Sequence, residues 1–164
     1  MKHIKTLSWQ NNVLVLLDQT RLPLQETTIE CRDYRRVADA IRRLEVRGAP
    51  AIGAAAAFGL VLGAHELLRS GVKISDALPE MANELRQTRP TAVNLFWAIE
   101  RMMKVVAGFS SALSPEEQAV LLEHEAVAIA DEDCSANERM SIHGASLFTR
   151  PVSVLTHCNA GALA

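Results

Sequence analysis

The cysteine near the end of the chain has the sequence surroundings of a reactive thiol. Cys158 follows residues 152–156, a run of apolar and β-branched side chains with strand composition, and His157 directly precedes it. Small residues after the cysteine suit a close-packed helix start, so we predict strand, tight turn and helix here. A helix N-terminus and a neighbouring histidine lower the pKa of a thiol and make thiolate available. The alternative is a buried cysteine that packs as a small hydrophobe.

Two arginines stand near prolines at predicted helix junctions. Arg47 lies shortly before Pro50, and Arg89 lies directly before Pro90. Gly48 suits the C-cap of one helix and Pro50 the first turn of the next, so two helices are predicted to meet at Arg47. The forked donors of a guanidinium group suit a small anion. Taken singly, each arginine is more often an ordinary surface residue.

Several common kinds of catalytic site are excluded by spacing. His124 and His143 fall on one predicted helix, where their separation would be roughly 28 Å, so they cannot share a metal ion. The chain contains no nucleophile-elbow, Walker or Gly-x-Gly-x-x-Gly sequence. Neither a metal site nor a nucleotide cofactor is therefore predicted.

Composition indicates a soluble globular protein. The 164 residues are 49% hydrophobic, enough for a core, and a net charge of −2 with interspersed signs provides no broad basic surface for nucleic acid. Three scattered cysteines, Cys31, Cys134 and Cys158, indicate a reducing cytoplasm rather than a disulfide scaffold. The first residues do not resemble a signal peptide. The unbroken apolar stretch 49–64 is shorter than a bilayer span of about 20 residues, so we interpret it as a buried helix.

The first part of the chain has strand patterns. Residues 4–9 and 13–17 are short apolar runs separated by Gln10, Asn11 and Asn12, and asparagine tolerates the positive φ that a hairpin turn needs. Residues 26–31 form a third run. An antiparallel sheet of about three strands is expected.

Helical patterns follow as far as about residue 148. Asp33 is expected to cap the first helix, whose apolar positions follow the i, i+3, i+4, i+7 rule. A second helix, at about 50–69, is rich in alanine and glycine and belongs at the centre of a bundle. Ser75 is expected to cap the third helix, and the fourth is predicted at about 90–107.

A fifth helix begins at a capping box formed by Ser114 and Glu117. Neither glycine nor proline interrupts the chain from there to Gly144. One helix of about 33 residues would be about 50 Å long, longer than a small domain is wide. It therefore either links the bundle to a following α/β region or breaks near 131–134.

Four motifs together resemble one family. They are Leu17-Asp-Gln-Thr-Arg-Leu-Pro23, Val46-Arg-Gly-Ala-Pro-Ala-Ile-Gly53, Thr88-Arg-Pro-Thr-Ala-Val-Asn-Leu95 and Leu155-Thr-His-Cys-Asn-Ala-Gly-Ala-Leu163. The chain is similar over essentially its whole length to the initiation factor 2B alpha/beta/delta-like family. That family includes 5-methylthioribose-1-phosphate isomerase, ribose-1,5-bisphosphate isomerase and regulatory subunits of initiation factor 2B.

The resemblance implies a fold with two parts. The α+β fold expected is a small N-terminal antiparallel sheet followed by a helical bundle, ending in the first strand of a truncated Rossmann-like α/β domain. The N-terminal domain would cover 1–148, with the sheet in 1–32 and helices in 33–148. Residues 149–164 would start the Rossmann-like catalytic domain, because family members continue well beyond this length.

The resemblance also implies an activity. It is the conversion of 5-methylthioribose 1-phosphate to 5-methylthioribulose 1-phosphate, an aldose–ketose isomerisation of methionine salvage that needs no cofactor or metal. Cys158 matches the family's catalytic cysteine, Arg47, Gly48 and Ala49 match its substrate loop, and Arg89 matches another phosphate contact. The second acid–base group would lie beyond residue 164, so the chain alone is expected to be inactive. A cytoplasmic homodimer is expected for the longer protein.

Two alternatives remain open from the sequence. Ribose-1,5-bisphosphate isomerase shares the reaction type, and a regulatory subunit would keep the fold for ligand sensing without turnover. Cys158 together with the motifs at Asp18-Gln19 and Arg47 favours an isomerase over a regulatory subunit, and the choice between the two isomerases stays open.

Overall fold

In the computed structural model, which describes residues 5–157, 161 and 163, the chain begins with an antiparallel sheet. Its strands are β1 (Leu7–Gln10), β2 (Val13–Leu17) and β3 (Thr28–Cys31), in the spatial order β1-β2-β3. Leu7 pairs with Leu16 across β1 and β2. The predicted three-stranded sheet is confirmed.

The turn between β1 and β2 is built from two asparagines in the left-handed region. Asn11 has φ 50° and Asn12 has φ 60°. Positive φ at both central residues gives a turn whose twist matches that of the flanking strands, which is why asparagine is favoured there. The predicted hairpin is therefore present, with its turn closed by the pairing of Gln10 with Val13.

Five helices follow the sheet, as predicted. They are α1 (Tyr34–Arg42), α2 (Ala49–Ser70), α3 (Ile74–Arg86), α4 (Val93–Ala107) and α5 (Pro115–Ser146). The Asp33 side chain caps α1 by accepting a hydrogen bond of 2.9 Å from the N–H of Arg36. The N-cap of α3 is Lys73, so the prediction that Ser75 caps this helix was wrong.

Helix α2 is the centre of the bundle, as its small residues predicted. It packs most extensively against α4 and α5 and also contacts α1 and α3. By length and composition it is the one helix among the described residues that could cross a membrane, but most of it is buried inside the protein. It is therefore the core helix of this domain.

A tryptophan joins the sheet to the helices. The Trp9 ring of β1 stacks on Phe58 of α2, with ring centroids 5.0 Å apart. The Trp9 indole N–H also donates a 2.7 Å hydrogen bond to Glu123 of α5. The sheet is thus attached to two different helices through one side chain that has an apolar body and a polar tip.

Helix α5 is continuous over 32 residues, so the predicted alternative of a break near 131–134 was wrong. Its capping box is present: the Ser114 hydroxyl accepts from the Glu117 N–H at 3.2 Å, and the Glu117 carboxylate accepts from the Ser114 N–H at 2.7 Å. Its buried side chains are all in the first half of the helix: Ala119, Leu122, Ala126 and Ile129. The second half carries exposed Met140 and Ile142.

Residues 151–156 contain no strand, which corrects the predicted strand at 152–156. A strand is stabilised by backbone hydrogen bonds to a neighbour, and no strand of the described residues lies beside this segment. Apolar composition alone is therefore insufficient to form the strand. Several large apolar side chains of this region are exposed, namely Leu147, Phe148, Val152, Val154 and Leu155.

Candidate functional site

The loop that carries Arg47 connects α1 to α2. The predicted role of Gly48 as a helix C-cap was wrong: Arg43 is the C-cap of α1, and Leu44 takes the left-handed conformation that follows it, with φ 60°. Gly48 is instead the N-cap of α2, with φ 92°. Residues with a side chain rarely adopt this backbone conformation, so glycine is needed here for the chain to enter α2 at this angle. Arg47 is exposed.

The residues after β2 hold this loop in place. The N–H of Gln19 donates to the carbonyl oxygen of Glu45 at 3.0 Å, and its side-chain amide donates to the carbonyl oxygen of Arg47 at 3.4 Å. Gln19 is buried, as is its neighbour Asp18. Hydrogen bonds from the Thr20 hydroxyl at 2.6 Å and N–H at 3.0 Å lower the pKa of Asp18. The backbone around Arg47 is therefore fixed by a rigid turn.

An ion pair fixes the same loop from the other side. The carboxylate of Glu45, which is largely buried, lies 2.6 Å from the guanidinium of Arg36 on α1. A buried carboxylate needs such a partner, because an unpaired charge in the interior is costly. The backbone at Glu45 and Arg47 is thus connected both to α1 and to the turn after β2.

Arg89 lies in the turn between α3 and α4. The buried Thr88 hydroxyl donates to the carbonyl oxygen of Leu85 at 2.6 Å, and the carbonyl oxygen of Arg89 accepts from the Ala92 N–H at 3.0 Å. The second of these bonds closes a turn over the residues that we predicted as the start of α4. The helix therefore begins at Val93 rather than near residue 90. Arg89 is half-buried.

The helices after these two loops both begin without a side-chain cap. The N-cap of α2 is Gly48 and that of α4 is Ala92, and neither residue has a side-chain oxygen that could accept a hydrogen bond from the first N–H groups of its helix. In α2 the first bond of the helix runs from the Ile52 N–H to the Gly48 carbonyl oxygen, at 3.0 Å. The N–H groups that come before the first hydrogen bond of a helix have no partner within the helix. Together with the helix dipole, they can bind an anion.

The first turns of α2 and α4 meet closely. A Cβ atom added to Gly53 would lie 2.8 Å from the backbone oxygen of Asn94 and 3.4 Å from the Cβ atom of Ala98. Glycine therefore allows the two helices to approach at this point. The loops of Arg47 and Arg89 consequently precede two helix ends that lie side by side.

A cleft of about 440 Å³ borders these helix ends. Its lining residues come from α2, α4 and α5: Pro50, Gly53, Val93, Asn94, Trp97, Ile129, Glu132 and Asp133. Most of the lining is apolar, and the polar groups are one amide and two carboxylates. We refer to it as the α2–α4 cleft.

Arg101 stabilises one wall of the α2–α4 cleft. Its guanidinium lies 5.5 Å from the centre of the Trp97 ring and donates to the Glu132 carboxylate at 2.5 and 2.7 Å. It also donates to Glu125. The bond to Glu132 raises the pKa of Arg101 and lowers that of Glu132. Such a two-point contact fixes the orientation of the guanidinium, which covers one face of the indole.

The predicted catalytic residue, Cys158, lies outside the described residues. The other two cysteines have opposite surroundings. Burial raises the pKa of the Cys31 thiol to about 11, so this residue packs as a small hydrophobe. Cys134 is exposed, and partial burial together with neighbouring Asp133 raises its pKa. Neither thiol is activated.

Sequence reasoning missed several residues around the candidate site. Asn94 and Trp97 were not singled out, and Gln19 was named only as part of a motif, without its contact to the Arg47 loop. A buried polar residue directly after a strand, such as Gln19, is a signal that could have been used. Trp97 had no such signal, because an aromatic residue on an amphipathic helix is usually part of the core.

The fold and the two loops define the class of this protein. The Initiation factor 2 subunit family matches residues 45–164, and the chain belongs to this family. The resemblance predicted from the four motifs is confirmed.

Particular relatives are more informative. A methylthioribose-1-phosphate isomerase from Petrotoga mobilis is 48% identical over 168 residues, covering 100% of this chain and 48% of that protein. The crystal structure of 5-methylthioribose 1-phosphate isomerase from Pyrococcus horikoshii OT3 superposes with a TM-score of 0.88 at 41% identity, over 99% of this chain and 46% of that one. The structure of translation initiation factor eIF-2B, subunit delta, from A. fulgidus gives 0.83 at 41% identity, with 98% and 46% covered. The chain spans about half the length of the relatives it matches.

Proposed function

We propose that this chain is the N-terminal half of an aldose–ketose isomerase that converts 5-methylthioribose 1-phosphate to 5-methylthioribulose 1-phosphate in methionine salvage. The observation that carries the proposal is the pairing of the Arg47 and Arg89 loops at two neighbouring helix ends. The names of the relatives support it, because a protein that is 48% identical across this whole chain is a methylthioribose-1-phosphate isomerase.

The substrate's phosphate is proposed to bind at these helix ends. Arg47 and Arg89 supply charge and paired donors. The backbone at Gly48 lets an oxygen atom approach without a side chain in the way, and Ala49 adds only a methyl group. The fixed backbone around Arg47 supports this role, because the turn at Gln19 and the ion pair of Glu45 hold the main chain of this loop in place before the substrate arrives.

The chemistry is a hydrogen transfer between C2 and C1 of the sugar. The phosphate on the anomeric oxygen blocks ordinary ring opening, so acid-assisted opening must come first; C2 is then oxidised to a ketone while C1 is reduced. Cys158 is the proposed catalytic residue. Acid–base work of this kind needs a second positioned group, which we place in sequence beyond residue 164.

The longer protein is proposed to be a cytoplasmic homodimer with two domains. Residues 1–148 would form the N-terminal domain, and residues 149–164 would begin a Rossmann-like catalytic domain. The exposed apolar side chains at Leu147, Val154 and Leu155 support this division, because a following domain would cover them.

A coupled isomerase assay on the full-length product of the gene and on the 164-residue chain tests the proposal. We expect turnover by the full-length protein and none by the chain alone. Arg89→Met should lower kcat/KM about 10- to 100-fold, since a hydrogen bond to a charged group contributes about 1.5–3 kcal/mol. Arg42→Met, which removes an exposed arginine from α1, is the matched control and should have no effect.

Cys158→Ser separates catalysis from folding. The substitution keeps the size of the side chain but removes the thiolate, so kcat of the full-length protein should fall by orders of magnitude while its melting temperature stays the same. Full activity in this variant would show that the chemistry belongs to another residue.

A non-catalytic regulatory subunit is the second candidate function. The observation that favours it is the superposition on subunit delta of an initiation factor, which covers nearly as much of this chain as that on the isomerase. Binding of a sugar phosphate by the full-length protein without any turnover would support this candidate instead.

A further inference from the structure

We propose that the α2–α4 cleft accepts the apolar C5 substituent of the sugar phosphate, and that Val93 and Trp97 determine this specificity. The inference rests on the proposed function and adds to it the part of the protein that distinguishes a 5-methylthio group from a 5-hydroxyl or a 5-phosphate group.

The α2–α4 cleft adjoins both loops that are proposed to bind the phosphate. Pro50, one of its lining residues, directly follows Ala49 of the proposed substrate loop. Val93 and Asn94 form the first turn of α4, just after the turn that holds Arg89. A ligand whose phosphate is bound by the two loops would therefore extend its other end toward the cleft.

The exposed walls of the cleft carry the second step. Val93 is 76% exposed and Trp97 is 47% exposed, although both are large apolar residues on a helix that packs into the core. Apolar side chains lining a concave surface are typical of ligand sites, where a few polar groups set the orientation. A thioether methyl group is an apolar ligand of suitable size for such a wall.

Rigidity carries the third step. Arg101 lies over Trp97 and is held by carboxylates of α5, so one face of the indole is covered by a group that is already ordered before any ligand arrives. A wall that is already ordered loses little entropy on binding.

The charges of the cleft carry the fourth step. Its two ionisable lining residues, Glu132 and Asp133, are acidic, and the described lining residues include no lysine or arginine. Arg101 neutralises Glu132, whereas the Asp133 carboxylate accepts a 3.0 Å hydrogen bond from the neutral Asn137 amide. A second phosphate group would meet like charge here, so a neutral substituent is favoured over a 5-phosphate.

The test compares substrates that differ only at C5. In the full-length protein, kcat/KM is measured for 5-methylthioribose 1-phosphate, ribose 1-phosphate and ribose 1,5-bisphosphate, with wild type and Val93→Lys. Val93 is exposed, so the lysine should not disturb folding. The matched control is Val72→Lys, at an exposed valine just beyond the opposite end of α2, a helix roughly 33 Å long.

We expect Val93→Lys to lower the ratio of kcat/KM for the methylthio substrate to that for ribose 1-phosphate by about tenfold or more, the scale of a lost apolar pocket contact. The ratio of kcat/KM for ribose 1,5-bisphosphate to that for ribose 1-phosphate should rise. Val72→Lys should leave both ratios unchanged. Trp97→Leu should also lower the first ratio.

Two results would overturn the inference. An unchanged ratio in Val93→Lys, whether or not kcat/KM falls equally for all three substrates, would mean that the cleft does not contact C5. A wild-type protein that isomerises none of them would refute the proposed function, and the inference would fall with it. The first result leaves the proposed function standing, so the two failures are distinguishable.

Discussion

Gly53→Ala tests whether the close approach of α2 and α4 is a packing requirement. The added Cβ atom would lie 2.8 Å from the backbone oxygen of Asn94, whereas ordinary contact begins at 3.4 Å, so the atoms must separate by 0.6 Å (3.4 − 2.8). The neighbouring atom belongs to the backbone and cannot rotate away. Helix α4 must therefore shift relative to α2.

The expected cost combines two opposing effects. Overpacking a well-packed contact costs about 1–3 kcal/mol. Alanine is a better helix former than glycine by about 1 kcal/mol, which offsets part of this cost. The free energy of unfolding should therefore fall by about 0–2 kcal/mol for Gly53→Ala.

A second glycine provides the matched control. Gly144 lies in α5, and a Cβ atom added there meets no heavy atom within 4 Å, so Gly144→Ala gains the helix preference without overpacking. This variant should be more stable than wild type by about 0.5–1 kcal/mol. Because both variants gain helix propensity, the difference between them isolates the packing cost, expected at about 1–3 kcal/mol.

Urea unfolding and thermal melting of the 164-residue chain measure this difference. For a domain of this size, 1 kcal/mol corresponds to about 2–4 °C in melting temperature. Equal stabilisation by the two alanines would refute the reasoning, because it would mean that α2 and α4 are not in contact at Gly53.

Three further predictions concern stability. Ser114→Ala, which removes half of the capping box, should lower the free energy of unfolding by about 1 kcal/mol, and Ser114→Gly by less, in urea titrations. Arg101→Met should destabilise the chain by separating α4 from the carboxylates of α5, with a larger loss at low ionic strength than in about 1 M salt, where screening is strong. Burial lowers the pKa of His65 below 6.5, and its Nε2 atom has no hydrogen-bond partner within the described residues. The imidazole of His65 therefore binds a proton more readily in the unfolded chain than in the folded one, so stability should fall as pH drops below about 6.5. His65→Gln should reduce this loss of stability, measured as the change in urea midpoint between about pH 7.5 and about pH 5.5.

Local signals in the sequence predicted most of the fold. The hairpin follows from Asn11 and Asn12, the start of α1 from Asp33, and the start of α5 from Ser114, because each of these side chains or conformations acts on backbone groups within a few residues. The central position of α2 follows from its small apolar residues. Features set by neighbours in the chain are readable from the chain alone.

Features that depend on distant partners were not predictable in the same way. The strand expected at 152–156 needs a neighbouring strand, and composition carries no information about one. The close approach at Gly53 and the contact of Arg101 with Glu132 join residues from different helices. Gly48 had the right residue type for a special conformation, but which helix it served was decided by Leu44 taking the left-handed position first.

The sequence predicted where the two candidate arginines lie in the chain, and their roles are untested. Arg47 and Arg89 were chosen for their positions beside prolines, and the structure describes both at loops that precede helix N-termini. What the sequence could not indicate was that these two ends lie side by side, since that depends on the packing of α2 against α4. The roles of Arg47, Gly48, Ala49, Arg89 and Cys158 all stay predictions.

The two tryptophans give the protein a pair of optical reporters with separate meanings. Trp9 is stacked on Phe58 and hydrogen-bonded to Glu123, so its fluorescence should be blue-shifted and should change when the sheet detaches from the helices. Trp97 is 47% exposed at the cleft, so its emission should be red-shifted and sensitive to whatever occupies that surface. The chain has only these two tryptophans. Trp97→Phe would therefore leave intrinsic fluorescence that follows folding, and Trp9→Phe would leave intrinsic fluorescence that follows occupancy of the cleft.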